Sequence, residues 1–342
     1  MSETYFTAFT QFDVTFLNVL QIIRESFYMF IDEIDYKTRM MAMLETPAEI
    51  ERAYQLCEDV FVQYGLDRYL LTLNDYSLSV ILNYLNVRTS IFLNRTEFER
   101  AWQPVLLFER YASGRMIPIN MEGMHRDLKA VLMARQGRLS EACDVLREAL
   151  ELGCTSDVRQ RLLYTLGSIE TSMTSPDDKI NTLCEALGEA EQEGNENHIA
   201  MCYRELSRMF SYLGQGATGL SLLQKAEQYY LINHKGHELM GTRMYMAMSY
   251  LAMYNTPKYT SQLGEDNMKR FYQQAKAYIG MVDVDKLPLE SDRAFYYRTY
   301  GLIYVDIEAI EKALAFYRRV KAYQDIKDCE GYIQTIRNMQ TQ

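Results

Sequence analysis

Between Ile199 and Tyr230 the chain carries one apolar stripe twice, interrupted by glycines. Met201, Tyr203, Leu206, Met209, Phe210 and Leu213 recur at steps of three and four, the spacing of one helical face. Gly214, Gln215 and Gly216 break the pattern, and a glycine just past the last apolar residue is a common helix end. The period then resumes through Leu220, Leu223, Ala226 and Tyr230. One helix of about sixteen residues cannot bury such a stripe by itself. Two joined by a short turn pack on each other and still leave apolar surface for another pair. A chain built this way must stack.

Weaker copies lie on both sides. Upstream, Met121–Gln136, a turn at Gly137 and Ser140–Leu152 read as one hairpin, with Ala142, Leu146 and Ala149 on the second helix. Asp157–Ser172 pairs with a helix whose start is marked by Ser175 as cap and Pro176 as first residue. Downstream, Gly236–Tyr254 pairs with 266–279 across a longer link containing Pro257, and Ser291–Tyr323 forms the last hairpin. Asp325–Met339 reads as a terminal capping helix with Ile326, Ile333 and Ile336 inward.

The first third is less regular. Helical spacing runs from Phe9 to Leu44, with Ile31 and Ile34 on the apolar face. Thr46-Pro47-Ala48-Glu49 predicts a capped helix reaching Tyr64 and stopped by Gly65. A helix from about Asn74 buries Leu78, Ile81, Leu82 and Leu85, and Thr96 to Glu99 predicts a second capping box. Pro104 falls inside the helix that follows, where it removes one backbone hydrogen bond. The stretch Ala112–Asn120 then separates an N-terminal helical region, 1–115, from a repeat region, 116–342.

Tyr203, Leu206, Ser207 and Phe210, then Gly219, Leu223 and Ala226, occupy the W-x2-L-G-x2-Y and A-x3-F places of a tetratricopeptide (TPR) repeat. The hairpin therefore resembles that family. Tyr297, Tyr300, Gly301 and Tyr304 with Ala313 and Tyr317 resemble it more closely still. The small-residue positions Ala130, Gly167, Ser207, Ala247 and Gly301 are 37, 40, 40 and 54 residues apart. The TPR period is about 34, so the match is to longer, TPR-like repeats such as those of bacterial regulators and peptide receptors. The resemblance covers about 123–323 and implies an all-α, right-handed αα-superhelix: a TPR-like solenoid of about seven hairpins with a C-terminal capping helix.

Composition excludes several functions. Net charge is −10, against the basic face that general nucleic-acid binding needs. The six cysteines form no C-x2-C pair and fit small core residues in a reducing compartment. The first basic residue is Arg24, and Arg24 and Glu25 interrupt the apolar run 14–31, so neither a secretory leader nor a membrane span is expected. A cytoplasmic location is expected.

No catalytic set stands out. His234 and His237 are spaced to approach one ion, yet no cysteine or carboxylate set completes a site, and no metal or other cofactor is expected. Gly214, Gly216 and Gly219 spell G-x-G-x2-G, but after a helix rather than a strand, so they read as a turn.

In TPR-type stacks the first helix of each hairpin lines the concave face. Outward positions there are Met124, Asp127, Arg135, Arg161, Tyr164, Ser168, Arg204, Arg208, Tyr212, Met244, Met248, Arg298 and Asp306. Arginine grips a carboxylate or phosphate at two points, so an acidic or C-terminal peptide segment is the candidate ligand. The competing reading is that these arginines pair with neighbouring glutamates. The chaperone-binding clamp of some TPR proteins is not matched, because Arg204 and Arg208 lack its asparagine. The sequence thus predicts a non-catalytic protein- or peptide-binding scaffold, with self-association open. The alternatives are a bacterial-type receptor whose superhelix changes shape on binding a signal peptide and, more remotely, a helical-repeat enzyme.

Overall fold

The computed structural model describes residues 31–41, 47–64, 74–169, 175–256, 259, 264–287 and 289–340. All regular structure among them is helical. The expected cap at Thr46, the stop at Gly65, the link at Pro257 and the helix before residue 31 lie outside the described residues.

Backbone contacts divide the chain into two compact units, one within 1–91 and 103–117, the other comprising 92–102 and 118–342. The first contains a helical segment at 31–41, with Ile31 and Ile34 fully buried. It also contains α1 (Pro47–Tyr64), most of α2 (Asp75–Asn94) and most of α3 (Phe98–Ala112). Leu78, Ile81, Leu82 and Leu85 are buried on α2 as their spacing requires. Arg88 joins them, buried and ion-paired to Glu58 at 2.9 Å, with its guanidinium 3.8 Å above the Phe61 ring. Both Arg88 and the Tyr84 hydroxyl donate to the Cys57 carbonyl, tying α2 to α1.

Thr96 does not cap α3. Its φ of 59° turns the hydroxyl back to donate to the Arg95 carbonyl, whereas an N-cap side chain must point forward from extended backbone. Glu97 takes the place before the helix and pairs with Arg95 and Arg100 instead. Pro104 sits inside α3, which continues past it to Ala112.

The second unit is a helical-repeat solenoid. Its helices are α4 (Ile119–Arg135), α5 (Leu139–Leu150), α6 (Ser156–Ile169), α7 (Pro176–Glu193), α8 (Glu196–Tyr212) and α9 (Gly216–Ile232). They continue with α10 (Gly236–Tyr254), α11 (Glu265–Gly280), α12 (Glu290–Tyr304), α13 (Ile307–Arg319) and α14 (Tyr323–Gln340). Five hairpins, α4/α5 to α12/α13, and a terminal helix follow one another, each packed on its neighbours. Cys329, Ile333 and Ile336 of α14 cover the last pair, as a capping helix must. The first helices, α4, α6, α8, α10 and α12, also approach one another along the stack, which the second helices do not do to the same extent. The first helices therefore form the more crowded, inner layer.

Local chemistry explains the joints. Ser175 and Asp178 form a reciprocal capping box with Pro176 at the first turn of α7. Gly219 brings α9 against α8 so closely that a Cβ would lie 2.8 Å from the Ser207 carbonyl oxygen. A Cβ on Gly216 would meet the Met253 side chain, so the G-x-G-x2-G run is explained by a turn and two close approaches, one to backbone and one to a side chain. Beyond Pro257, the Tyr259 hydroxyl donates to the Gly214 carbonyl and accepts from the Gly216 amide, at 2.8 and 2.9 Å. It anchors the longer link to the preceding hairpin. Fully buried Leu223, Ala226 and Tyr230 show where most of the stability lies. Each large apolar side chain contributes about 1.5–3 kcal/mol, against under about 1 kcal/mol for an exposed ion pair.

Candidate functional site

Helical period aims one side chain per turn of each first helix away from the second helix, toward the inner layer. On α8 this selects Arg204 and Arg208, one turn apart, with Glu205 between them. Arg208 pairs with Glu205 at 2.8 Å, and Glu205 beside it raises the Arg208 pKa, so the guanidinium stays charged. On α4 and α6 the Arg161 guanidinium lies 2.6 Å from the buried Asp127 carboxylate. At the far end Arg298 of α12 reaches Asp325 of α14 at 2.6 Å and lies 5.2 Å from the Phe295 ring centre. Three of the four inward arginines are thus already matched by acids.

Arg204 is the exception. No acid lies within ion-pair distance of it among the described residues. Tyr164 of α6, Tyr245 of α10 and Tyr230 of α9 surround it, and its guanidinium stands 6.0 Å from the Tyr245 ring centre. The Tyr164 hydroxyl lies close enough to the guanidinium to feel its charge. Tyr245 also contacts Phe295, 5.0 Å between ring centres, and so connects the α8 arginines to Arg298. Burial raises the pKa of Tyr164, Tyr230 (pushed up to about 12) and Tyr245, so all three keep their protons at neutral pH.

Of the residues predicted from sequence, Tyr164, Arg204, Arg208 and Arg298 form this connected row, with Arg161 adjoining on α6. Others fall elsewhere. Met244 is 1% exposed and belongs to the core with Ala247 and Leu251, because its helical face turns toward α11. Met248 is half-buried. Arg135 is exposed at the end of α4 beside Phe98, and Tyr212 is 80% exposed at the end of α8. Asp306 caps α13 through the Ala309 amide instead of facing the inner layer. Sequence reasoning passed over Glu205, Tyr245 and Asp325. Glu205 was within reach, since Glu and Arg three apart on a helix pair routinely.

The histidines take structural partners. His237 hydrogen-bonds Asp292 at 2.6 Å, which joins α10 to α12 and raises its pKa. His234 occupies the turn before α10 with φ 54°. His198 packs against Asn195, the N-cap of α8. Among the described residues no group of histidine, cysteine and carboxylate side chains could hold a metal ion, and no helix is long and apolar enough to cross a membrane.

Residues 129–304, just over half of the chain, match the family model described as the Suppressor of spindle checkpoint defect 1 C-terminal domain. The chain belongs to this family. The matched span begins on α4 and ends with α12, and so contains Arg161, Tyr164, Arg204, Arg208, Tyr245 and Arg298. Comparison with curated proteins finds no match. Among solved structures the chain is similar to aspartyl phosphate phosphatase F from Bacillus subtilis, at 12% identity and TM-score 0.53, over 91% of this chain and 90% of that one. It is also similar to a Rap protein complexed with Competence and Sporulation Factor, at 12% identity and TM-score 0.50, over 92% and 98%. At such identities the likeness shows the helical-repeat fold alone.

Proposed function

We propose that this member of the family is a non-catalytic protein- or peptide-binding scaffold that uses the inner layer of its second unit. One observation carries the reading. Successive first helices present an arginine–tyrosine row, of which one cation, Arg204, has no acid partner among the described residues. Arginine with tyrosine is the combination enriched at binding surfaces, because both give large contact area and directed hydrogen bonds. The natural ligand for such a row is an extended segment with an acidic or C-terminal carboxylate group. No nucleophile, base and orienting acid converge in the row, which argues against the enzyme alternative. The TPR-like character of the repeats favours the same use.

A second reading, a regulatory receptor that changes shape on binding a signal peptide, is supported by the shared fold with the Rap protein solved in complex with its factor. It uses the same layer and differs in the response of the scaffold.

Panning a phage-displayed random peptide library on the purified chain tests the proposal. Enriched peptides should bind the wild type and lose at least tenfold in affinity with Arg208→Glu, about 1.4 kcal/mol. Arg147→Glu, on second helix α5, should leave binding unchanged. Failure to enrich any peptide, or equal binding by both variants, would overturn the inner-layer assignment. Small-angle scattering with and without an enriched peptide separates the rigid scaffold from the shape-changing receptor.

A further inference from the structure

Arg204 lies in a setting unlike that of its neighbours. Its Nε atom is sealed from solvent and has no hydrogen-bond partner, while the residue as a whole is half-buried. Gly241 of α10 leaves room beside it: a Cβ there would have the Arg204 Nη1 atom, 3.7 Å away, as its nearest neighbour. A guanidinium held among three neutral tyrosines, with no acid at ion-pair distance, lacks the counter-charge that a partly desolvated cation ordinarily keeps.

Four acids of the stack are held by partners of their own. Glu205 is held by Arg208, Asp127 by Arg161 and Asp325 by Arg298, while Asp292 shares a hydrogen bond with His237. The row therefore offers one uncompensated positive charge. We propose that Arg204, with the Tyr164 and Tyr245 hydroxyls as auxiliary donors, seats a single carboxylate of the bound segment and rejects a phosphate dianion. A carboxylate neutralises the guanidinium. A dianion would bring a second negative charge beside Glu205 in a poorly solvated place, where like charges repel strongly. The inference rests on the peptide-binding reading above and adds the chemical selectivity of its central position.

The test uses one random heptapeptide pool free of Asp and Glu, prepared in four forms and equilibrated with the full chain. The forms are a free C-terminal carboxylate, a C-terminal amide, the amide with one internal aspartate, and the amide with one phosphoserine. Retention is read by mass spectrometry. The free-carboxylate or aspartate form should be retained at least tenfold over the amide and over the phosphoserine form. Which of the two leads tells whether a chain end or an acidic side chain supplies the group. Arg204→Gln should erase the preference. Arg204→Lys, which keeps the charge but not the planar fork, should reduce it and serves if the glutamine variant does not fold. Retention of all four forms alike, a lead by phosphoserine, or a preference that survives Arg204→Gln would overturn the carboxylate assignment and leave the peptide scaffold standing. Retention of none would overturn both.

Discussion

The Nε atom of Arg161 lies 2.6 Å from Oδ2 of Asp127, across the seam between α4 and α6. The Asp127 side chain is 2% exposed, and its other oxygen is buried without a hydrogen-bond partner. Removing the arginine strands a buried carboxylate. Arg161→Ala should lower unfolding stability in urea by roughly 2 kcal/mol or more, at the low side of the buried-pair range because Arg161 itself is partly solvated. Replacing both residues with leucine should recover much of the loss. A single variant within about 0.5 kcal/mol of wild type would show that the pair contributes little.

Glycines of the stack divide by what surrounds them. Gly219 faces the Ser207 carbonyl, backbone that cannot swing aside, so Gly219→Ala should cost on the order of 1–3 kcal/mol and loosen the α8/α9 seam. Gly188, on α7, has nothing within 4 Å of the added carbon. There the same change should stabilise by up to about 1 kcal/mol through helix propensity. Thermal unfolding of the two variants reads both signs, and a stabilised Gly219→Ala would contradict the packing described.

His237 supplies a pH dependence with a defined sign. Its pKa in the folded chain is raised above the usual 6.5, chiefly by the hydrogen bond to Asp292. Its contribution is thus full below 6.5 and is lost as pH rises through the raised value. His198, lowered by burial, acts in the opposite direction, so total stability hides the effect. The difference between wild type and Asp292→Asn isolates it. That difference should be larger at about pH 6 than at about pH 8.5, and should stay under about 1 kcal/mol because both partners are partly exposed. A difference independent of pH would remove His237 from the α10–α12 seam as a titrating group.

Much of the fold was legible because stacking leaves a local signature. The apolar period, Gly214, Ser175 with Pro176 and Gly219 each act over a few residues, and each stands where its spacing put it. Thr96 misled because its motif letters fit while its left-handed backbone does not, and backbone sign is not written in a single threonine. The site was legible only in part. Helical period alone selects Arg204, Arg208 and Arg298, but whether each is matched depends on Glu205, on α14 supplying Asp325 and on the rotation of α10 that turns Met244 inward. Those depend on how hairpins seat on one another, and the uneven spacing of the repeats conceals that register.

The inward arginines draw their acids from different directions: Arg161 from the helix pair before it, Arg208 from its own helix, Arg298 from the helix after its own pair. The array consequently cannot be shortened freely at either end. A cut between α5 and α6 divides Arg161 from Asp127, and one between α13 and α14 divides Arg298 from Asp325. Trimming at either of these joints leaves a bare charge at the new end, so electrostatic ties as well as the repeat decide where the stack can be cut.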